Sequence, residues 1–146
     1  MIIVIISNSN RNNNNAVKEP SGLSRTDGKR PDGVTLVPWK SGRCVTWDVT
    51  VTDTLAQSNL PMTSQTTGAA AEAAADRKTA KFAPLTQSYL FVPIAVETMG
   101  AISRVGKEFL SDLGKRIRQM TNEKREGTFL FQRLSIVIQR YNAVAI

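Results

Sequence analysis

Apolar and polar positions change period several times along the chain, and each change marks an element. In Cys44–Thr52 they alternate strictly: Val45, Trp47, Val49 and Val51 fall on one side, Thr46, Asp48, Thr50 and Thr52 on the other. That period of two predicts a strand. Arg30–Pro38 opens on a Pro-Asp-Gly turn and predicts a partner strand, with Lys40-Ser41-Gly42-Arg43 as the turn of a hairpin. Asp53–Thr67 is polar and is expected as a loop. Gly68–Thr86 begins with an Ala-rich run of high helix propensity. At about 100° per residue, Ala71, Ala75, Lys78, Phe82 and Leu85 share one helical face.

Gln87–Ala95 is mostly apolar, the profile of a strand covered on both faces, and Met99-Gly100 closes it. Ser103 is placed to cap a helix running to about Met120, with Val105, Phe109, Leu113 and Ile117 on one stripe. After a charged turn, Glu123–Gly127, a last amphipathic helix is expected over Thr128–Asn142. Its apolar face is Phe129, Leu130, Leu134, Val137, Ile138 and Tyr141. The order β-β-α-β-α-α predicts an α/β fold, a mixed sheet built from a hairpin and a buried strand with helices against it.

The first 29 residues change this picture little. A short apolar run, Met1–Ile6, is followed by an Asn-rich stretch and then by turn formers, too few apolar groups to offset the entropy of ordering them. Residues 1–29 are therefore expected as a disordered or linker tail, and residues 30–146 as one domain, trimmed on its N-terminal side.

Charge adds a partner class. The 146 residues carry a formal net charge of +7. Residues 1–100 hold ten Lys/Arg against eight Asp/Glu, whereas residues 101–146 hold nine against four. A basic C-terminal third suits a polyanion, most simply DNA, with RNA as a second option. Arg116, Arg118, Lys124 and Arg125 are the candidates to grip phosphates; a solvated helix end whose cations favour the helix dipole is the alternative. The single cysteine, Cys44, allows no disulfide framework and points to a reducing compartment, nucleus or cytoplasm, with no secretion expected. The absence of histidine excludes a Ser-His-Asp triad and a Cys-His pair. No run reaches the roughly twenty apolar residues of a membrane span.

What remains for acid-base chemistry is carboxylates, lysines, tyrosines or metal-bound water. Asp32 and Asp48 lie in the two arms of the expected hairpin, and neighbouring arms stand roughly 5 Å apart, so both carboxylates can converge on one cation. An acid in the middle of the best strand is costly unless paired or liganded. Oxygen ligands of this kind suit Mg2+ or Mn2+. Lys78 falls inside the apolar helical stripe and Lys81 at its edge; either snorkels, or stands where it can orient a water or meet charge building on a phosphate. Glu97, after the buried strand, is a candidate supporting acid; Glu72 and Asp76 are expected as solvated helix charges, and Trp39 and Trp47 as packing groups.

These residues, RPDG, a strand ending WDVTV, then AAEAAADRKTAKFAPL and YLFVPIAVETMGA, resemble the restriction-endonuclease-like domain at the C-terminus of early-branching non-LTR retrotransposon polyproteins. In that family the domain follows a reverse transcriptase and nicks target DNA to start reverse transcription. The likeness spans about residues 30–120. It implies a restriction-endonuclease-like fold, metal binding by Asp32 and Asp48, a catalytic lysine at Lys78 or Lys81, Arg30 in the basic place before the Pro-Asp pair, and normal fusion to a reverse transcriptase. The family's aromatic after the second lysine is usually Tyr and here is Phe82; the superfamily's lysine place two residues after the second acid is Thr50. The alternative is a catalytically inactive, basic nucleic-acid-binding remnant of such a polyprotein. A third possibility is a structural or interaction domain with no nucleic-acid role.

Overall fold

The computed structural model describes residues 16–20 and 30–145. It is an α/β structure with strands β1 (Ala16–Lys18), β2 (Gly33–Thr35), β3 (Val45–Thr52) and β4 (Leu90–Glu97), in the sheet order β1-β2-β3-β4. The helices are α1 (Leu60–Thr63), α2 (Ala69–Lys81), α3 (Arg104–Thr121) and α4 (Glu126–Ala145), with a 3-10 turn over Ala83–Gln87. β1 pairs antiparallel with β2, and β2 with β3. The Leu90 N–H donates to the Cys44 carbonyl and the Thr98 N–H to the Thr52 carbonyl, a constant offset, so β3 and β4 run in the same direction. The sheet is therefore mixed, an antiparallel hairpin followed by a parallel crossover through α2. Among the described residues no helix is long and apolar enough to cross a membrane.

Two compact units divide the chain. One joins Met1–Val49 to Asp76–Pro93, the other joins Thr50–Ala75 to Ile94–Ile146. In the first unit, residues 36–44 join β2 to β3 and end in a tight turn in which Ser41 and Gly42 both have positive φ, +53° and +70°, and Lys40 bridges to Arg43. Two successive left-handed residues match the twist of a hairpin. The Trp47 ring is buried and lies over Gly33, where any Cβ would overlap it. The Phe82 and Phe91 rings pack 5.1 Å apart, and Arg43 Nη2 donates to the Thr86 and Tyr89 carbonyls.

The second unit buries Ala71, Ala74, Ala75 and Ala95 together. Small side chains there let helix and strand approach closely. Phe109, Leu110, Leu113 and Ile117 of α3 and Leu130, Leu134 and Ile138 of α4 are buried. The two helices approach closely at Gly114, where a Cβ would sit 2.9 Å from Gly127 Cα. Asn122, left-handed at φ +57°, ends α3.

Several expectations shift. The strand expected over Arg30–Pro38 is only Gly33–Thr35. β3 does not keep one wet and one dry face: Val45 to Asp48 are all buried, while Val49 and Val51 of the expected core face are exposed. The helix expected to Thr86 stops at Lys81, because Pro84 has no N–H and disfavours helical backbone before it. β4 starts later, at Leu90, and extends to Glu97; its Pro93 donates no ladder bond, which an outermost strand tolerates. α1 interrupts the expected loop. Gly127 belongs to α4 rather than to the turn, and Phe129 and Val137 of that helix's expected apolar face are exposed. The Tyr141 side chain lies outside the described residues, as do Met1–Ile6 and the rest of the expected tail except residues 16–20. Within that tail, Ala16–Lys18 pairs with β2: three residues add backbone hydrogen bonds to an existing strand without a core of their own.

Candidate functional site

Asp32, Asp48 and Lys78 come together in the first unit. Backbone bonds fix Asp32 just ahead of β2: its N–H donates to the Trp47 carbonyl and its carbonyl accepts from the Glu19 N–H. Its Oδ2 accepts from the Val49 N–H at 2.6 Å, one residue past Asp48. Asp48 sits mid-β3 and is 5% exposed. Its Oδ2 lies 2.6 Å from the Lys78 ammonium, delivered by the last turn of α2, and is otherwise without a hydrogen-bond partner among the described residues. A carboxylate this deep needs a cation, and Lys78 supplies one.

Burial pushes the Asp32 carboxyl above the ordinary carboxylate range. The charges of Asp48 and Glu19 push the same way, against the Val49 hydrogen bond and the Lys78 ammonium. The cluster thus holds two carboxylates that repel each other and one ammonium that stabilises both, on backbone fixed by the β2–β3 pairing. Charge of this kind is suited to binding a cation or positioning a polar reactant.

The other residues singled out in the sequence fall elsewhere. The Lys81 ammonium is 5.5 Å from the centroid of the Phe82 ring. Arg30 is exposed, 3.9 Å from Glu19, a solvated pair of small energetic weight. Arg116 and Arg125 are exposed on α3 and in the turn before α4. Arg118 and Lys124 instead line a cleft in the second unit, beside Lys115.

Glu97 takes a different part from the supporting acid expected of it. Buried at 2% exposure, its Oε1 accepts from the Ala70 and Ala71 N–H groups at 3.0 and 3.1 Å. It therefore caps the first turn of α2 from a distant strand, satisfying donors that have no partner within the helix. Glu72 is exposed, as expected of a solvated charge, and in addition accepts from the Arg104 N–H at the first turn of α3. Sequence patterns for caps look within a few residues of the helix start, so neither carboxylate could be found that way.

A divalent cation tests this site's chemistry. Among the described residues no group of three or more His, Cys, Asp or Glu is placed to hold a metal ion. Asp32 and Asp48 are two carboxylates, a number that fits Mg2+ or Mn2+, which take one or two protein carboxylates and complete their shell with water and substrate phosphate. The buried Asp48 oxygen, bonded to nothing but an ammonium, is a donor of the right kind. Comparison with protein-family models, with curated proteins and with solved structures finds no match to this chain.

Proposed function

We propose that the chain is a metal-dependent endonuclease that nicks DNA, with a restriction-endonuclease-like fold and the origin in a retrotransposon polyprotein that its sequence resembles. The supporting observation is the meeting of Asp32 and Asp48, from adjacent segments of the hairpin, with Lys78 from the following helix. Asp32 and Asp48 would hold Mg2+ or Mn2+. When bound, such an ion makes water a stronger nucleophile and neutralises charge on the phosphate.

The chain's own residues do the rest. Val49 N–H holds one oxygen of Asp32 and so sets the orientation of the carboxylate. Lys78 pairs with the buried Asp48 carboxylate, and its ammonium is available to the charge that grows on a phosphate as water oxygen bonds to phosphorus and the phosphorus–oxygen bond to the leaving group breaks. The leaving oxygen takes a proton, giving one phosphate end and one hydroxyl end.

The test is nicking of supercoiled plasmid in Mg2+ or Mn2+. Wild type is expected to nick; Asp48→Ala is expected to lose at least about 100-fold, the scale of removing one stabilising group at a reacting centre. Equal nicking by both, or no nicking by wild type, sinks the proposal. Wild type that fails to nick but still retards DNA in EDTA points to the inactive, nucleic-acid-binding remnant. That second reading is favoured by the cationic cleft of the other unit, which needs no chemistry to hold a polyanion.

A further inference from the structure

The cleft between α3 and α4 lies wholly within the second unit. It has a volume of about 330 Å3, at the small end of the range for small-molecule sites. Its existence follows from the packing. Gly114 and Gly127 bring the helices close at one level. Left-handed Asn122 then ends α3 and turns the chain toward α4. The opening is lined by three cations from two segments, Lys115 and Arg118 of α3 and Lys124 of the turn. Ser111 and Thr128 add hydroxyls and Phe131 an aromatic wall. Thr128 belongs to the first turn of a 20-residue helix, the end whose dipole favours anions. Of the nearby acids, Asp112 lies 3.8 Å from Lys115 itself, an exposed pair that screens this cation only weakly, and Glu123 Oε1 accepts from the Arg125 N–H.

Three positive side chains, hydroxyl donors and one ring facing a common hollow match a phosphate joined to a flat apolar group. We propose that this cleft binds a nucleotide unit, its phosphate against Lys115, Arg118 and Lys124 and its base against Phe131. Stacking on a ring combined with a cationic groove is how single strands are held without sequence preference. The site is independent of the carboxylate cluster, and binding is read in EDTA, where no cleavage takes place.

The experiment is fluorescence anisotropy of a labelled single-stranded DNA of about 20 nucleotides, in EDTA and low salt, with adenosine monophosphate as competitor. Arg118→Glu and Lys124→Glu are each expected to weaken binding about tenfold, and Phe131→Leu about fivefold or more. Arg133→Glu and Arg140→Glu, equal charge changes at exposed α4 positions outside the cleft, are expected to change it less than about threefold. Lys124 is exposed in a turn, so its reversal leaves the fold intact; matched thermal melts confirm this for each variant. Displacement by the mononucleotide assigns the site to free nucleotides, and resistance to displacement assigns it to strands. Absence of binding by both ligands, or equal losses from cleft and control reversals, overturns the proposal.

Discussion

At the scale of single residues, Asp32 is under strain that its replacement would relieve. Folding raises its pKa, through burial first and the neighbouring Asp48 and Glu19 charges next. The folded protein therefore binds that proton more tightly than the unfolded chain, and stability falls as pH rises through the folded pKa. Asp32→Asn, which can still accept from Val49, is expected to raise Tm at neutral pH in EDTA. The gain should vanish below about pH 3.9, where both states of the wild type are protonated. A lower Tm at neutral pH would mean that the attraction to Lys78 outweighs desolvation. The same substitution is expected to abolish nicking, a trade of activity for stability common at charged sites. Asp32, Asp48 and Lys78 were legible as a set because two periods did the work: alternation placed Asp48 in a strand beside the Pro-Asp arm, and a 3.6-residue repeat placed Lys78 inward. The depth of Asp48 was not legible, since alternation assigned it to a wet face and the structure buries both faces of that half of β3.

At the scale of elements, the two carboxylate caps tie helices to the chain far from their own sequence. Glu97 holds the first turn of α2, and Glu72, on that helix, holds the first turn of α3. Glu97→Ala would leave two buried N–H groups without acceptors, at a cost of about 2–4 kcal/mol. Glu97→Gln keeps an acceptor and loses the charge that favours a helix N-terminus, at a cost of about 1 kcal/mol. Urea denaturation of the two variants measures both; equal and negligible losses would show that the cap contributes nothing. The long hairpin arm β3, α3 and the parallel strand β4 were legible because each carries its pattern over eight or more residues. Boundaries set by one residue, such as the end of α2 before Pro84, were displaced. The caps were invisible because they join positions about 26 residues or more apart in the chain.

At the scale of the molecule, the uneven charge makes a quantitative claim. If single strands engage the cleft alone, its three cations set a slope of about −2 for log affinity against log salt. Engagement of all nine Lys/Arg of residues 101–146 would set a slope nearer −6. Titration of binding against salt separates the two, and the steeper value would replace a local site by a diffuse basic face. The sequence announced the excess charge but not its arrangement: Lys115 drew no notice beside its arginine neighbours, and it is the crossing at Gly114 and Gly127 that gathers three cations around one hollow.

The pairing of Ala16–Lys18 with β2 has a practical corollary. A recombinant version started at Arg30, the boundary composition suggests, would strip the outermost strand and leave the amides of Gly33–Thr35 facing solvent. Unprotected edges of that sort recruit other chains, so the shortened protein would be prone to self-association. It would also lose Glu19, one of the charges acting on Asp32, and the backbone bond that steadies that acid from outside.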